Sequence, residues 1–306
     1  MPHRVLLIVN PAAAAGRAGR QAAGLLARLN QRSLAADHVF MERPRQAVEL
    51  ARQAADHYDV IAAVGGDGTV NEVATGILLA SEPRPALGVV PLGTGNDFAQ
   101  QVGIRSVEDA VQALVDGKGR SLDVIEVSCY EGDRPLRHFA VDHVAVGFAS
   151  ALIRYTTPAV KRVFGPRLCY TVGFLRAVGG FRSPFMRVNA DGQSVAGRLF
   201  HVCAGNSEWC GGGIMRLSPG AKMDDGQLDI CLIEALGRLE ALRCFPRLLK
   251  GTHVTHPKVR YFRGRTLRVD SDPPADLQMD GDLIGRTPAT FQIQPGAIRV
   301  LTPPVC

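Results

Sequence analysis

At 306 residues, 46% hydrophobic and 21% charged, the chain has the composition of an ordinary globular protein with room for two cores. Its longest apolar stretch, residues 139–153, is broken by Asp142 and His143, which excludes a membrane-spanning helix there. The net charge of +6 points to an acidic partner surface, and seven cysteines without a C-x-x-C pair exclude the usual zinc spacings and suit reduced thiols in a cytoplasmic protein.

Residues 5–9 (VLLIV) read as a buried first strand; five apolar residues before Asn10-Pro11 are too few for the core of a signal peptide. A small-residue turn with Arg17 and Arg20 leads into a helix to about Leu29, with Leu25, Leu26 and Leu29 on one face. Residues 36–41 form a second strand and residues 45–57 an alanine-rich helix. The third strand, 60–64, runs into Gly65-Gly66-Asp67-Gly68-Thr69, where glycines let several backbone N–H groups approach a ligand. Thr69 with Glu72 has capping-box spacing, so a helix is expected to start at Thr69 with its positive end toward an anion, most naturally a phosphate.

The fourth strand, 86–90, repeats the layout and ends in Pro91-Leu92-Gly93-Thr94-Gly95-Asn96-Asp97-Phe98-Ala99. Two such loops one βα unit apart lie on the same carboxyl edge of a parallel sheet. Neither is a P-loop, since G-x4-G-K-[ST] is absent, and Phe98 stands where a dinucleotide fingerprint needs its third glycine. Ser106 with Asp109 caps a further helix ending near Gly117, and residues 121–127 start a strand with Asp123 near its head.

Beyond residue 127 short strands take over, separated by Glu131-Gly132-Asp133, Asp191-Gly192, Asp225-Gly226 and Asp280-Gly281, as in an antiparallel sandwich. Helical insertions are expected at about 158–178 and 239–249. Between Asp142 and Asp191 there is no acidic residue, while Arg154, Lys161, Arg162, Arg167, Arg176, Arg182 and Arg187 are interleaved with Tyr155, Phe164, Tyr170, Phe174 and Phe181. Such a stretch suits an anionic bilayer surface, or else an apolar face on the core with solvated arginines. His253-x-x-His256 lacks a third ligand nearby for a metal. At Gln278-Met279-Asp280-Gly281-Asp282 two readings stand: an extended segment would place Asp280 and Asp282 on one face as paired carboxylates, whereas a type I′ hairpin would leave them exposed. The residues alone favour the hairpin.

The GGDGT block with Asn71-Glu72, and above all the GTGNDFA block, resemble the catalytic domain of the diacylglycerol kinase and sphingosine kinase family, in its soluble bacterial lipid-kinase branch. GGDGT is shared with NAD kinases; GTGNDFA is the more specific. The resemblance implies an α/β domain over 1–127, to which about 295–306 return, and a β-sandwich lipid-substrate domain over 128–294. It implies ATP held by Asn10, Arg17, the position of Met41, Gly65, Gly66, Asp67, Gly68, Thr69, Asn71, Glu72, Gly93, Thr94, Gly95 and Asn96, with Mg²⁺ at Asp67, Asp97 and Asp123. It also implies Asp280 and Asp282 as catalytic carboxylates, which reverses the preference for an idle hairpin. A structural Mg²⁺ or Ca²⁺ is implied at Asp225 with the carbonyls of Lys222 and Gln227.

Three departures stand out: Met41 replaces a threonine, Asp282 a glutamate, and the first loop has no lysine, leaving Arg17 or Arg20 to supply its charge. The expected function is ATP-dependent phosphorylation of a diacylglycerol-like lipid at the inner membrane face, by a cytoplasmic, peripherally associated enzyme for which a homodimer is compatible. The rivals are an NAD kinase and a catalytically weak nucleotide-binding protein that docks on membranes. No nucleic-acid motif accompanies the basic charge.

Overall fold

The computed structural model describes residues 3–156 and 158–303, and the chain divides into two compact units. Unit 1 comprises Met1–Leu122 with Gly296–Cys306, and unit 2 is Asp123–Pro295.

Unit 1 is built on β1 (Val5–Val9), β2 (Ala36–Phe40), β3 (Val60–Gly65) and β4 (Ala86–Pro91), all parallel and ordered β2-β1-β3-β4. Every residue of β1 and β3 is buried, the pattern of strands covered on both faces. The covers are α1 (Ala13–Gln31) and α5 (Val107–Asp116) as one packed pair, and α2 (Gln46–Ala54) with α3 (Asp67–Leu78) as another. A short helix, α4 (Asp97–Gln101), follows β4. Successive connections leave β1 and β3 in opposite directions across the sheet, so the strand order reverses between them. This is the switch point at which open α/β sheets bind ligands beyond the strand ends. The Ser106–Asp109 capping box is present and α5 ends at Gly117, in the left-handed conformation.

One helix start differs from expectation. α3 begins at Asp67 with Gly66 as its N-cap, and no side chain caps it. Thr69 lies inside the first turn, where its hydroxyl accepts from Asn10 Nδ2 at 3.0 Å; Glu72 instead accepts the Ala47 N–H at the start of α2, at 3.3 Å. The two capping-box residues each have a tertiary partner, and those partners decide the geometry.

Unit 2 is antiparallel. It contains most of β5 (Gly119–Glu131), then β6 (Arg134–Ala140), β7 (His143–Gly147), β8 (Phe185–Ala190), β9 (Gln193–Gly205), β10 (Leu228–Glu234), β11 (Val259–Gly264), β12 (Thr266–Asp272), β13 (Asp276–Met279) and the first part of β14 (Asp282–Leu301). The sandwich expected from the turn spacing is modified in its sheet detail. β9 pairs with β8 through its first half and with β7 and β10 through its second; β14 pairs first with β13 and then with β12. With β8 on β12 and β13 on β7, six strands close into a ring. Long strands that serve two sheets turn the corners and remove free edges. The core inside holds Val144, Val146, Met186, Val188, Val202, Leu267, Val269 and Phe291, all at most 2% exposed. The last residues of β14 belong to unit 1, where Val300 pairs in parallel with Leu87 of β4.

Helices α6 (Phe148–Tyr155), α7 (Pro158–Gly180) and α8 (Arg238–Lys250) carry a second apolar cluster. Of these, α6 was not anticipated, because its residues continue the apolar run of β7 without a polar break. The structure divides the basic aromatic segment. Phe174 and Phe181 are packed into aromatic stacks with Phe148, Phe200 and Phe245, so they serve the core. Arg154 pairs with Asp276 of β13 at 2.5 Å and is tied up within the protein. Val163, Phe164, Leu168 and Leu175 remain exposed. The side chains of Lys161, Arg162, Arg167 and Tyr170 lie outside the described residues.

Candidate functional site

In unit 1 the ends of β1, β3 and β4 meet. Asn10 continues β1, its N–H donating to Val64 O at 3.0 Å, while its side chain holds Thr69 and accepts the Ala12 N–H at 3.1 Å. Ala14, Ala15 and Gly16 follow in left-handed conformation at φ of 49°, 57° and 83°, so the regular helix starts only beyond them. Arg20 folds over this turn, its Nη1 3.1 Å from where a Cβ on Gly16 would sit, and both Arg17 and Arg20 are exposed. Met41 is buried, its N–H bonded to Val9 O at 2.8 Å, and it belongs to the core of the sheet.

The two glycine loops touch. Leu92 N–H donates to Gly65 O at 2.9 Å, and a Cβ on Gly93 would overlap Gly66 Cα. Only glycine permits that approach. Asn96, left-handed at φ 59°, accepts the Gly93 N–H at 2.9 Å and donates back to Gly93 O at 3.3 Å. Its side chain therefore shapes the loop. Gly68 and Thr94 are exposed at the rim, while Thr69 and Asn71 are buried in α3.

Between the loops sit two carboxylates. Asp67 accepts the Phe98 N–H at 3.1 Å, and Asp97 is only 8% exposed. Burial, reinforced by the charge of Asp97, pushes the Asp67 carboxyl up to about 6. A hard cation would relieve both effects, and an all-oxygen donor pair suits Mg²⁺.

In unit 2, Asp280-Gly281 forms the two-residue turn between β13 and β14, with Met279 opposite Asp282 and both central residues at positive φ, 46° and 94°. This is the type I′ pattern, so the extended arrangement with Asp280 and Asp282 on one face is corrected. The exposure expected of such a turn is corrected as well, for Asp280. Its carboxylate accepts N–H groups from Val141 at 3.1 Å and His143 at 2.8 Å, and its own N–H donates to His143 O at 3.0 Å. Asp282 is exposed.

Asp123 is 3% exposed and clamps a loop: its N–H donates to Met223 O at 2.7 Å and its carboxylate accepts the Gly226 N–H at 2.6 Å. Asp225-Gly226 accordingly lies in this clamped loop and does not form a hairpin. Asp225 accepts the Gln227 N–H at 3.1 Å, and its other oxygen lies 3.5 Å from Arg263 Nη1. Arg263 also donates to the buried Asp229 at 3.3 Å and to Gly220 O at 3.1 Å. A guanidinium thus stands beside the carboxylate expected to hold a structural ion, and Lys222 is exposed.

Three contributors carry no sequence motif: the backbone donors at residues 141 and 143, the arginine at 263, and Asn206, whose buried side-chain amide donates to the carbonyls of Asp123 and Val141. Backbone donors leave no mark on residue type, and Asn206 lies in no spaced motif.

Residues 4–127 match the diacylglycerol kinase catalytic domain family, and residues 143–302 match the YegS C-terminal NAD kinase beta sandwich-like domain. A diacylglycerol kinase of Staphylococcus saprophyticus is 30% identical over 309 residues, covering 99% of this chain and 96% of that protein. Among solved structures, a diacylglycerol kinase from Bacillus anthracis superposes with a TM-score of 0.73 at 20% identity, covering 99% of this chain and 97% of the other. Yeast NADH kinase complexed with NADH gives 0.50 at 11% identity, covering 98% and 83%; at these identities the two structures speak to the fold alone. Matched by both halves of the family architecture, and aligned nearly end to end with a named relative, the chain belongs to the diacylglycerol kinase family.

Proposed function

We propose that the protein transfers the γ-phosphate of ATP to the hydroxyl of a diacylglycerol-like lipid, with unit 1 binding nucleotide and unit 2 the acceptor. The observation that carries this reading is the half-buried Asp67 beside the buried Asp97, between two touching glycine turns, in a member of this family. The phosphates rest on backbone N–H groups of residues 65–69 and 93–95, at the positive end of α3. Asn10 fixes Thr69 in that turn, and Arg17 and Arg20 supply cationic charge nearby. Asp67 and Asp97 would hold Mg²⁺, which would supply charge neutralisation at the phosphates. Asp280 accepts the proton of the lipid hydroxyl as its oxygen forms a bond to the γ-phosphorus and the bond to ADP breaks; Asp282 assists as the second carboxylate. Such catalysis depends chiefly on positioning and charge. Asp123 organises the 223–226 loop, and with Arg263 beside Asp225 the second, structural ion is not part of this proposal.

A lipid acceptor has to be drawn from a bilayer, so the protein works peripherally at the cytoplasmic membrane face. Val163, Leu168 and Leu175 on α7 are 74%, 60% and 55% exposed, and Leu239 on α8 is 70% exposed, which supports this. No helix among the described residues is long and apolar enough to cross a membrane.

The test is transfer of radiolabelled γ-phosphate to diacylglycerol in mixed micelles by wild type, Asp67→Ala and Asp280→Asn. Wild type labels the lipid, and both variants stay folded and lose transfer. Full activity in either variant overturns the residue roles.

A further inference from the structure

Asp280 owes its orientation to the bend at residues 141–143, which joins β6 to β7. Along a straight strand the N–H groups of residues i and i+2 point the same way but lie about 7 Å apart, too far to meet the two oxygens of one carboxylate. Here Val141 and His143 both reach Asp280, which requires the chain to be folded inward at Asp142.

Asn206 fixes that fold. It is fully buried at 0% exposure, and its N–H donates to Asp142 O at 2.8 Å. Its Nδ2 donates to Val141 O at 3.0 Å and to Asp123 O at 2.9 Å. Asp123 in turn clamps Met223 and Gly226. The side-chain amide therefore ties the carbonyl of Val141 to Asp123, in the strand that anchors the 223–226 loop, while the backbone N–H of the same residue holds the carbonyl of Asp142.

We propose that Asn206 is a positioning residue for phosphate transfer: it holds the 141–143 bend and thereby aims the Asp280 carboxylate at the acceptor hydroxyl. This rests on the functional reading above. Asn206→Asp keeps the shape and the backbone bond to Asp142 but removes both side-chain donors, so the bend relaxes and Asp280 turns away.

The experiment measures lipid phosphorylation by the full chain as wild type, Asn206→Asp, Asp280→Asn and the double variant, with turnover normalised to folded protein by ATP binding. Asn206→Asp is expected to lower kcat about 10- to 100-fold while leaving KM for ATP within about twofold. The double variant is expected to be no slower than Asp280→Asn alone, because Asn206 acts through that carboxylate. Unchanged kcat in Asn206→Asp beside an inactive Asp280→Asn overturns the inference alone, as do losses that multiply independently. A fully active Asp280→Asn overturns the role given to Asp280 in the functional reading, whereas a wild type that labels no lipid overturns that reading itself. If Asn206→Asp fails to fold, amide exchange in wild type decides: protection at Val141 and His143 that falls selectively in Asp280→Ala supports the cradle, and exchange unaffected by Asp280→Ala overturns it.

Discussion

The two units place carboxylates by opposite means. In unit 1, Asp67 and Asp97 follow glycine turns at strand ends, and the turns themselves are visible as residue types. In unit 2, Asp280 is oriented by peptide groups of a bend more than a hundred residues earlier in the chain, held in place by a buried amide. A site written in glycines can be read along the sequence; one written in backbone donors needs the fold.

The sharpest way to break this comparison is at the carboxylates. Asp280→Asn keeps the size but removes the proton acceptor, and kcat for lipid phosphorylation should fall about 10²- to 10⁴-fold with ATP binding retained. Retention of turnover would leave the backbone cradle without a catalytic purpose. Next in size is Gly93→Ala, which forces Gly66 and Gly93 apart. It should cost about 1–3 kcal/mol in a denaturant melt and weaken ATP binding as well. A stable variant with unaltered ATP affinity would mean that the loops need not touch.

Acid sensitivity should separate the units further. His143, His201 and His253 are buried in unit 2 at 2%, 6% and 2% exposure, and burial lowers them to about 4, 3 and 4 respectively. Their folded values lie below the ordinary one near 6.5, so the unfolded chain binds more protons in between. Stability from these groups is complete above about pH 6.5 and falls as pH drops toward 4, by up to about 1.4 kcal/mol per histidine for each pH unit. Denaturant midpoints between pH 7 and 4.5 check this, with His201→Phe flattening the slope; a slope unchanged in that variant would contradict it. The smallest effect is expected on the exposed helices. Leu168→Glu with Val163→Glu should reduce co-flotation with anionic phospholipid vesicles several-fold while leaving the melting temperature unchanged; equal flotation would remove α7 from the membrane contact.

Much of unit 1 was legible because its strands are continuous buried runs and its loops carry glycine where a Cβ would collide. The start of α3 was misread because Thr69 and Glu72 have the right spacing for a capping box yet bond to Asn10 and Ala47. Local spacing yields when a tertiary partner is better placed. In unit 2 the hairpin at Asp280-Gly281 was readable from its two residues, but its partial burial was not, since the donors come from residues 141 and 143. Ring closure of the strands was equally hidden: Gly197 in β9 and Thr287-Pro288 in β14 stand close to where these strands change partners, but neither says which strand is the next partner. The basic segment between Asp142 and Asp191 looked uniform; packing divided it into core aromatics, the internally paired Arg154 and exposed apolar residues.

The most direct test of the account is a competition in which wild-type protein receives γ-labelled ATP with diacylglycerol micelles and NAD in the same tube. The account predicts label in the organic extract, dependent on diacylglycerol. Label confined to the aqueous phase on NAD would contradict it.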